Sequence, residues 1–169
     1  ACGEPKFLLD PNAMSAEGIV AVDWWYPSRD GHLLAYGLSE GGSEQSTLHV
    51  LDVDTGTKLE DTIARTRGSS VAWLPDGSGF YYMRFPNPGD VPKGEEHFHS
   101  RIRFHKLGDD PARDPIVFGE GRAMQDWLTC DLSDDGRFLV VHASQTARKT
   151  ALFVKDLHGK DGAFVDVSG

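Results

Sequence analysis

Apolar and polar positions along this chain come in short bursts, and one burst pattern occurs three times. A β-prone run leads into Pro or Ser, then Asp-Gly, then a second apolar run ending in aromatics or valines, at residues 24–36, 71–82 and 129–141. Asp-Gly between two such runs is the chemistry of a reversing turn, because Gly accepts positive φ and Asp caps the turn with its own carboxylate. Each copy therefore reads as strand, tight turn, strand. The turn glycines stand at 31, 77 and 136, separated by 46 and 59 residues. A period of roughly 40–50 residues is that of a four-stranded propeller blade, and the longer interval needs an insertion.

Residues 86–100, rich in Pro, Gly, Glu and His, supply that insertion between the second and third strands of the middle unit. Third strands with partial period-two alternation follow at 47–53, 102–107 and 151–157. Weaker fourth strands at 58–64, 115–119 and 163–167 read as outer edges, where polar residues and Pro blunt unwanted pairing. The fold class is all-β, with antiparallel four-stranded blades of a β-propeller. Residues 1–20 are expected to hold the trailing strand of a preceding blade, placed at 6–10, followed by blades at 21–66, 67–122 and 123–169. Closed rings carry typically four to eight blades, so three leave the ring open. Open flanks are expected to expose Trp24 or Trp25 on one side and Phe153 or Phe164 on the other. No sustained helical period appears.

Composition changes this picture little. The chain is 39% hydrophobic, 10% aromatic and 25% charged, and no segment approaches the ~20 apolar residues of a membrane helix. Acidic residues outnumber basic ones 26 to 17, for a net charge of −9, and no Lys/Arg stripe exists for a phosphate backbone to follow, which argues against nucleic-acid partners. A soluble domain of cytoplasm or periplasm fits, and the two cysteines do not choose between these. Cys2 and Cys130 are too few for a disulfide scaffold, and Cys130 sits in a strand where a buried free thiol is expected. The start at Ala1-Cys2-Gly3 has neither Met nor a signal pattern, as expected of a piece of a longer chain.

Several stretches are more particular than a blade turn. Asp10-Pro11-Asn12 follows Phe7-Leu8-Leu9, and Tyr36-Gly37-Leu38-Ser39 follows the first turn. Together with residues 71–86, 104–108 and 132–137, these resemble the early propeller of prolyl oligopeptidases across almost the whole chain. The resemblance implies a two-domain serine endopeptidase that cleaves short peptides after proline. In it an α/β-hydrolase domain carries the catalytic triad and a seven-bladed propeller covers the active site. The nucleophile of such a hydrolase sits on a Gly-x-Ser-x-Gly elbow. None occurs here: Ser43 has Gly41 before it but Gln45 after it, and the glycines around Ser78 have the wrong spacing. The chain is thus expected to be inactive alone, without a cofactor, and to act with the hydrolase domain of its parent on short proline-containing peptides.

By the same resemblance Tyr81 and Trp127 fall where the family places pocket-lining residues on the propeller side. The competing reading makes both ordinary blade-packing aromatics. The region around Arg148 offers no clear equivalent of a substrate-contacting arginine. Insertion 86–100 corresponds in position to a mobile loop near the active site, a gate in which Pro86, Gly89, Pro92, Gly94, His97 and Ser100 are the candidate residues, or else a solvated surface loop. His97 and His99 would share a face if this stretch were extended, but a flexible loop lacks a fixed third ligand, so no metal is assigned. The remaining histidines, 32, 49, 105, 142 and 158, read as surface or strand residues. The alternative function is an unrelated, non-enzymatic propeller that binds a protein partner through its blade loops.

Overall fold

The computed structural model describes residues 7–146, 149–160 and 162–169, so Cys2, Lys6 and Arg148 lie outside the described residues. It contains three four-stranded antiparallel sheets. The first is β1 (Val20–Pro27), β2 (Leu33–Glu40), β3 (Thr47–Asp52) and β4 (Thr57–Ile63). The second is β5 (Val71–Trp73), β6 (Gly79–Arg84), β7 (Arg101–Lys106) and β8 (Ile116–Phe118). The third is β9 (Trp127–Leu132), β10 (Phe138–Thr146), β11 (Lys149–Asp156) and β12 (Phe164–Asp166). Strands are hydrogen-bonded in chain order within each sheet, which leaves the fourth strand of every blade at an edge. Three such sheets do not close a ring.

Each Asp-Gly pair sits in the turn joining the first two strands. Gly31, Gly77 and Gly136 take φ of +77°, +69° and +72°, the left-handed region in which a side chain would be strained. Asp30 Oδ1 accepts from the His32 N–H, Asp76 from Ser78 and Asp135 from Arg137, each at 3.0 Å. The turns also touch one another. A Cβ on Gly136 would meet the Pro75 ring at 2.6 Å, and Arg29 crosses to the third blade's turn, donating to Asp134 Oδ1 at 2.7 Å and the Ser133 carbonyl at 2.6 Å.

Strand alternation sorts the core into seams. Trp24, Leu48, Val50 and Ile63 of the first sheet pack on Val71, Trp73, Phe80 and Tyr82 of the second. Its opposite face gives Ala72, Met83, Phe85 and Ile102 to Leu128, Cys130, Leu139 and Val141 of the third. At ~1.5–3 kcal/mol for each large apolar side chain removed from water, these seams are the main stabilising contacts between blades.

A polar network crosses the first seam. His105 is fully buried, with Nδ1 3.0 Å from both oxygens of Asp114 and Nε2 3.0 Å from Oδ1 of Asp61. The Tyr82 hydroxyl donates to Asp114 at 2.7 Å and the Gly108 N–H to Asp61 at 2.7 Å. A carboxyl group against each ring nitrogen favours the protonated ring, and these hydrogen bonds raise the pKa of His105 against the opposing effect of burial. Of the two expectations for His105, surface or strand, the strand holds: it lies in β7 and is buried. His49 is likewise buried, and burial, with Lys58 beside it, pushes its pKa down to about 4.

Two further expectations change, and a third is narrowed to one residue. Residues 7–10 form no strand; Asp10 caps a single helical turn, Pro11–Met14, by accepting the Asn12 N–H at 3.0 Å, and Leu9 packs on the outer face of the first sheet. An Asp-Pro opening suits a helix start better than a strand. Trp24 is buried, because a bulge between Val22 and Trp24 turns its indole into the first seam, where Nε1 donates to the Thr66 carbonyl at 3.1 Å. Trp25 alone of that pair faces outward, 64% exposed. Phe153 and Phe164 point inward too, their ring centroids 4.9 and 4.8 Å from that of Phe118 in tilted and edge-on contacts, since Phe153 pairs with the inward Val141. Val165 and Val167 are the apolar residues exposed on that flank.

Candidate site on the loop end of the blades

Loops 41–46 and 85–100 and the inter-blade links 64–70 and 119–126 share one end of the sheets, opposite the Asp-Gly turns. They are tied together there: Thr66 N–H donates to Ser46, Phe85 to Arg65 and His99 to Met124. Between them lies a cleft of about 510 Å³. Its walls are Trp24, Tyr26 and Trp127, and its polar groups come from Asp23, Glu44, Ser46, Arg67 and Ser69.

Trp127 opens the third blade's first strand and is 38% exposed. Its ring lies on Gly68, where a Cβ would come within 2.7 Å, and 5.6 Å from Phe85. Only glycine at 68, itself at φ +54°, lets the indole sit so close to the link. Tyr81 is elsewhere. It is half-buried between the second and third sheets, 5.0 Å from Phe104, where burial raises its hydroxyl pKa, and it is not among the residues lining the cleft. The two aromatics singled out from the sequence are thus not brought together.

Insertion 86–100 is a chain of turns. Asn87 donates backbone and side-chain N–H groups to Asp90, and the Gly94 N–H donates to Glu96. Arg65 donates to the Glu96 carbonyl and fastens the middle of the loop to the first inter-blade link. Gly89 and Gly94 take φ of +95°, and Pro92 and His97 are exposed. Pro86 is half-buried. Ser100 is buried and is an anchor: its hydroxyl donates to the Asp126 carbonyl at 2.7 Å and accepts the Leu128 N–H at 3.2 Å. His97 and His99 do not share a strand face. His99 stands at φ +58°, outside the extended region, and its ring pairs with Glu95 at 2.7 Å.

Two cleft residues escaped the sequence reading. Asp23 is pushed out of the ladder by the bulge, and its oxygens accept hydroxyls from Ser39 at 2.9 Å and Ser46 at 2.5 Å. Arg67 pairs with Glu44 at 2.7 Å. Neither has a spacing that marks it, since a bulge is a register event and the Glu44 contact joins two loops.

The family model for the prolyl oligopeptidase N-terminal β-propeller domain matches residues 1–168. Prolyl endopeptidase of Elizabethkingia meningoseptica is 32% identical over 171 residues, covering 100% of this chain and 24% of the relative. Prolyl oligopeptidase A of Galerina marginata is 29% identical, covering 87% of this chain and 22% of the relative. A solved prolyl endopeptidase structure matches 99% of the chain and 25% of its own, at 31% identity and a TM-score of 0.89. Prolyl oligopeptidase B from Galerina marginata, bound to a 25mer macrocyclization substrate, matches 94% of the chain at 25% identity and a TM-score of 0.79. The chain spans about a quarter of the length of these relatives. With a family model covering nearly all of it, this chain belongs to the prolyl oligopeptidase family, within the N-terminal β-propeller.

Proposed function

We propose that these blades are a non-catalytic part of a serine peptidase that cleaves after proline, covering its active site and admitting short proline-containing peptides. The partner is an α/β-hydrolase domain of the same parent chain, which supplies the nucleophile these blades lack. The observation that carries the reading is the half-exposed indole of Trp127 on a cleft at the loop end. A flat aromatic face suits the apolar pyrrolidine ring of proline, and its seat on Gly68 fixes its angle before a peptide arrives. Tyr81, in the seam between the second and third sheets, has no part in this wall.

In this reading loop 86–100 gates the approach. Gly89 and Gly94 allow the loop to rearrange, Pro86 and Pro92 stiffen its segments, His97 lies on its exposed surface, and Ser100 is the fixed end about which it moves.

The test joins the blades to a hydrolase domain and compares Trp127→Ala with the parent. KM for a prolyl peptide should rise roughly tenfold with kcat little changed, the pattern of lost ground-state binding. Trp127→Phe should restore most of it. An unchanged KM would remove Trp127 from the substrate path. The blades alone should not hydrolyse a Gly-Pro chromogenic peptide, and hydrolysis lost on replacing one of their own serines would overturn the assignment.

A further inference from the structure

The cleft beside Trp127 has a charge pattern that a purely apolar proline wall does not require. Glu44 and Arg67 meet at 2.7 Å and cancel one another. Asp23 has no such counter-ion: among the described residues no Lys or Arg side chain pairs with it, and its partners are the neutral hydroxyls of Ser39 and Ser46. One fixed negative charge is left over.

We propose that this cleft is a cation-accepting subsite, in which Asp23 receives a positively charged group of the peptide, its α-ammonium or a basic side chain. The inference rests on the peptide-contacting role argued above for Trp127 and adds a preference for charge. Its physical basis has three parts. The two hydroxyls hold the carboxylate in one orientation, so little ordering remains to be done when a cation arrives. Each carboxylate oxygen has two lone-pair sites and gives one to a serine, which leaves acceptor capacity on both. The lining includes Tyr26 and the part-exposed Trp127, aromatic rings of the kind that attract a cation electrostatically.

The local fold explains why the carboxylate is there. An unbroken ladder would pair residue 23 with a β2 residue, but the register skips between Val22 and Trp24. The skip frees Asp23 for the cleft while turning Trp24 into the seam. Bulges commonly re-aim a side chain in this way. The net charge of −9 adds a long-range attraction for cationic peptides.

The test measures binding of three peptides to the 169-residue chain at pH 6.5 and low salt: Ala-Ala-Pro-amide with a free amine, its N-acetylated form, and acetyl-Lys-Ala-Pro-amide. Tryptophan emission reports occupancy, since Trp24 and Trp127 line the cleft. At least one cationic peptide should bind about five- to tenfold more tightly than the acetylated one, the scale of one exposed ion pair plus a cation–π contact. Whichever binds more tightly identifies the α-ammonium or the side chain as the group received. Raising salt should shrink the gap, and Asp23→Asn should abolish it while leaving the acetylated peptide unchanged. Because the peptide and salt series use the unaltered chain, the result does not depend on how the variant folds. Equal binding of all three would overturn the charge preference and leave the Trp127 reading standing. No binding of any peptide would overturn both.

Discussion

Nε2 of His105 lies 3.0 Å from Oδ1 of Asp61 across the seam between the first and second blades, so a buried histidine adds a polar link to a largely apolar contact. Burial works against the charged ring, but the hydrogen bonds to Asp114 and Asp61 outweigh it and raise its pKa above the ordinary 6.5. A base stronger in the folded than in the unfolded chain stabilises fully below the unfolded value, and that stability is lost as pH rises through the folded one. Urea unfolding of wild type and His105→Gln across pH 5–9 should therefore converge toward the alkaline end. At pH 6 the variant should be less stable by about 3 kcal/mol, because two buried carboxylates lose their shared cation. The comparison is needed because other histidines titrate too. His32, raised by its hydrogen bond to Asp54, acts in the same sense, whereas His49, held down to about 4, loses stability as the medium turns acid. A wild-type to variant difference that does not change with pH would mean that the ring is neutral.

Gly37 lies flat under the Trp24 indole, and a Cβ there would fall 2.3 Å from Cε2. Gly37→Ala must push the indole out of the seam and break its bond to the Thr66 carbonyl. The expected loss is about 2–3 kcal/mol, the usual cost of overpacking a close-packed core. Tryptophan emission should shift to the red as the ring is hydrated. An unchanged unfolding midpoint would show that the seam can yield without cost.

The blade pattern was legible because it is local. Asp30-Gly31, Asp76-Gly77 and Asp135-Gly136 declare their turns without help from any distant residue, and all twelve strands fall at or beside the apolar runs. What escaped depends on pairing between segments far apart in sequence. The bulge at Val22/Trp24 decides that Trp24 is core and Asp23 is not, and it exists only once β1 meets β2. His105 looks like any strand histidine until Asp61, 44 residues earlier, is placed against it. Phe153 and Phe164 were assigned to the wrong face for the same reason, since short strands do not say which face is which until Phe118 claims one. Of the candidate site, the insertion is legible from the lengthened repeat and its Pro- and Gly-rich composition, its gating role and Trp127 only through resemblance, and Asp23 and Arg67 carry no signal at all.

Cys130 gives a chemical readout of the second seam. Its thiol is buried, donated to by Ser70 at 3.5 Å, and burial pushes its pKa up to about 12. Only the thiolate reacts, so alkylation at pH 8 should be on the order of a thousandfold slower than for a free cysteine. The measurement uses Cys2→Ser so that one thiol remains. Labelling should accelerate with urea as the second and third blades separate. Rapid labelling in buffer would mean that the seam opens readily in the native state.

The outer face of the third sheet ends in Val165 and Val167, 60% and 48% exposed, on and beside an edge strand that offers unpaired backbone groups. The opposite flank shows Trp25 at 64%. Exposed apolar area beyond a few hundred Å² generally finds a partner, and an edge strand provides a template for one. The chain should therefore associate in solution, with a sedimentation coefficient that rises over a concentration series and with binding of a hydrophobic dye. Val165→Lys with Val167→Lys should reduce both, because charge on an edge opposes pairing, and Trp25→Glu should act independently on the other flank. A chain that stays monomeric at every concentration and leaves the dye dark would show that both flanks are content with water.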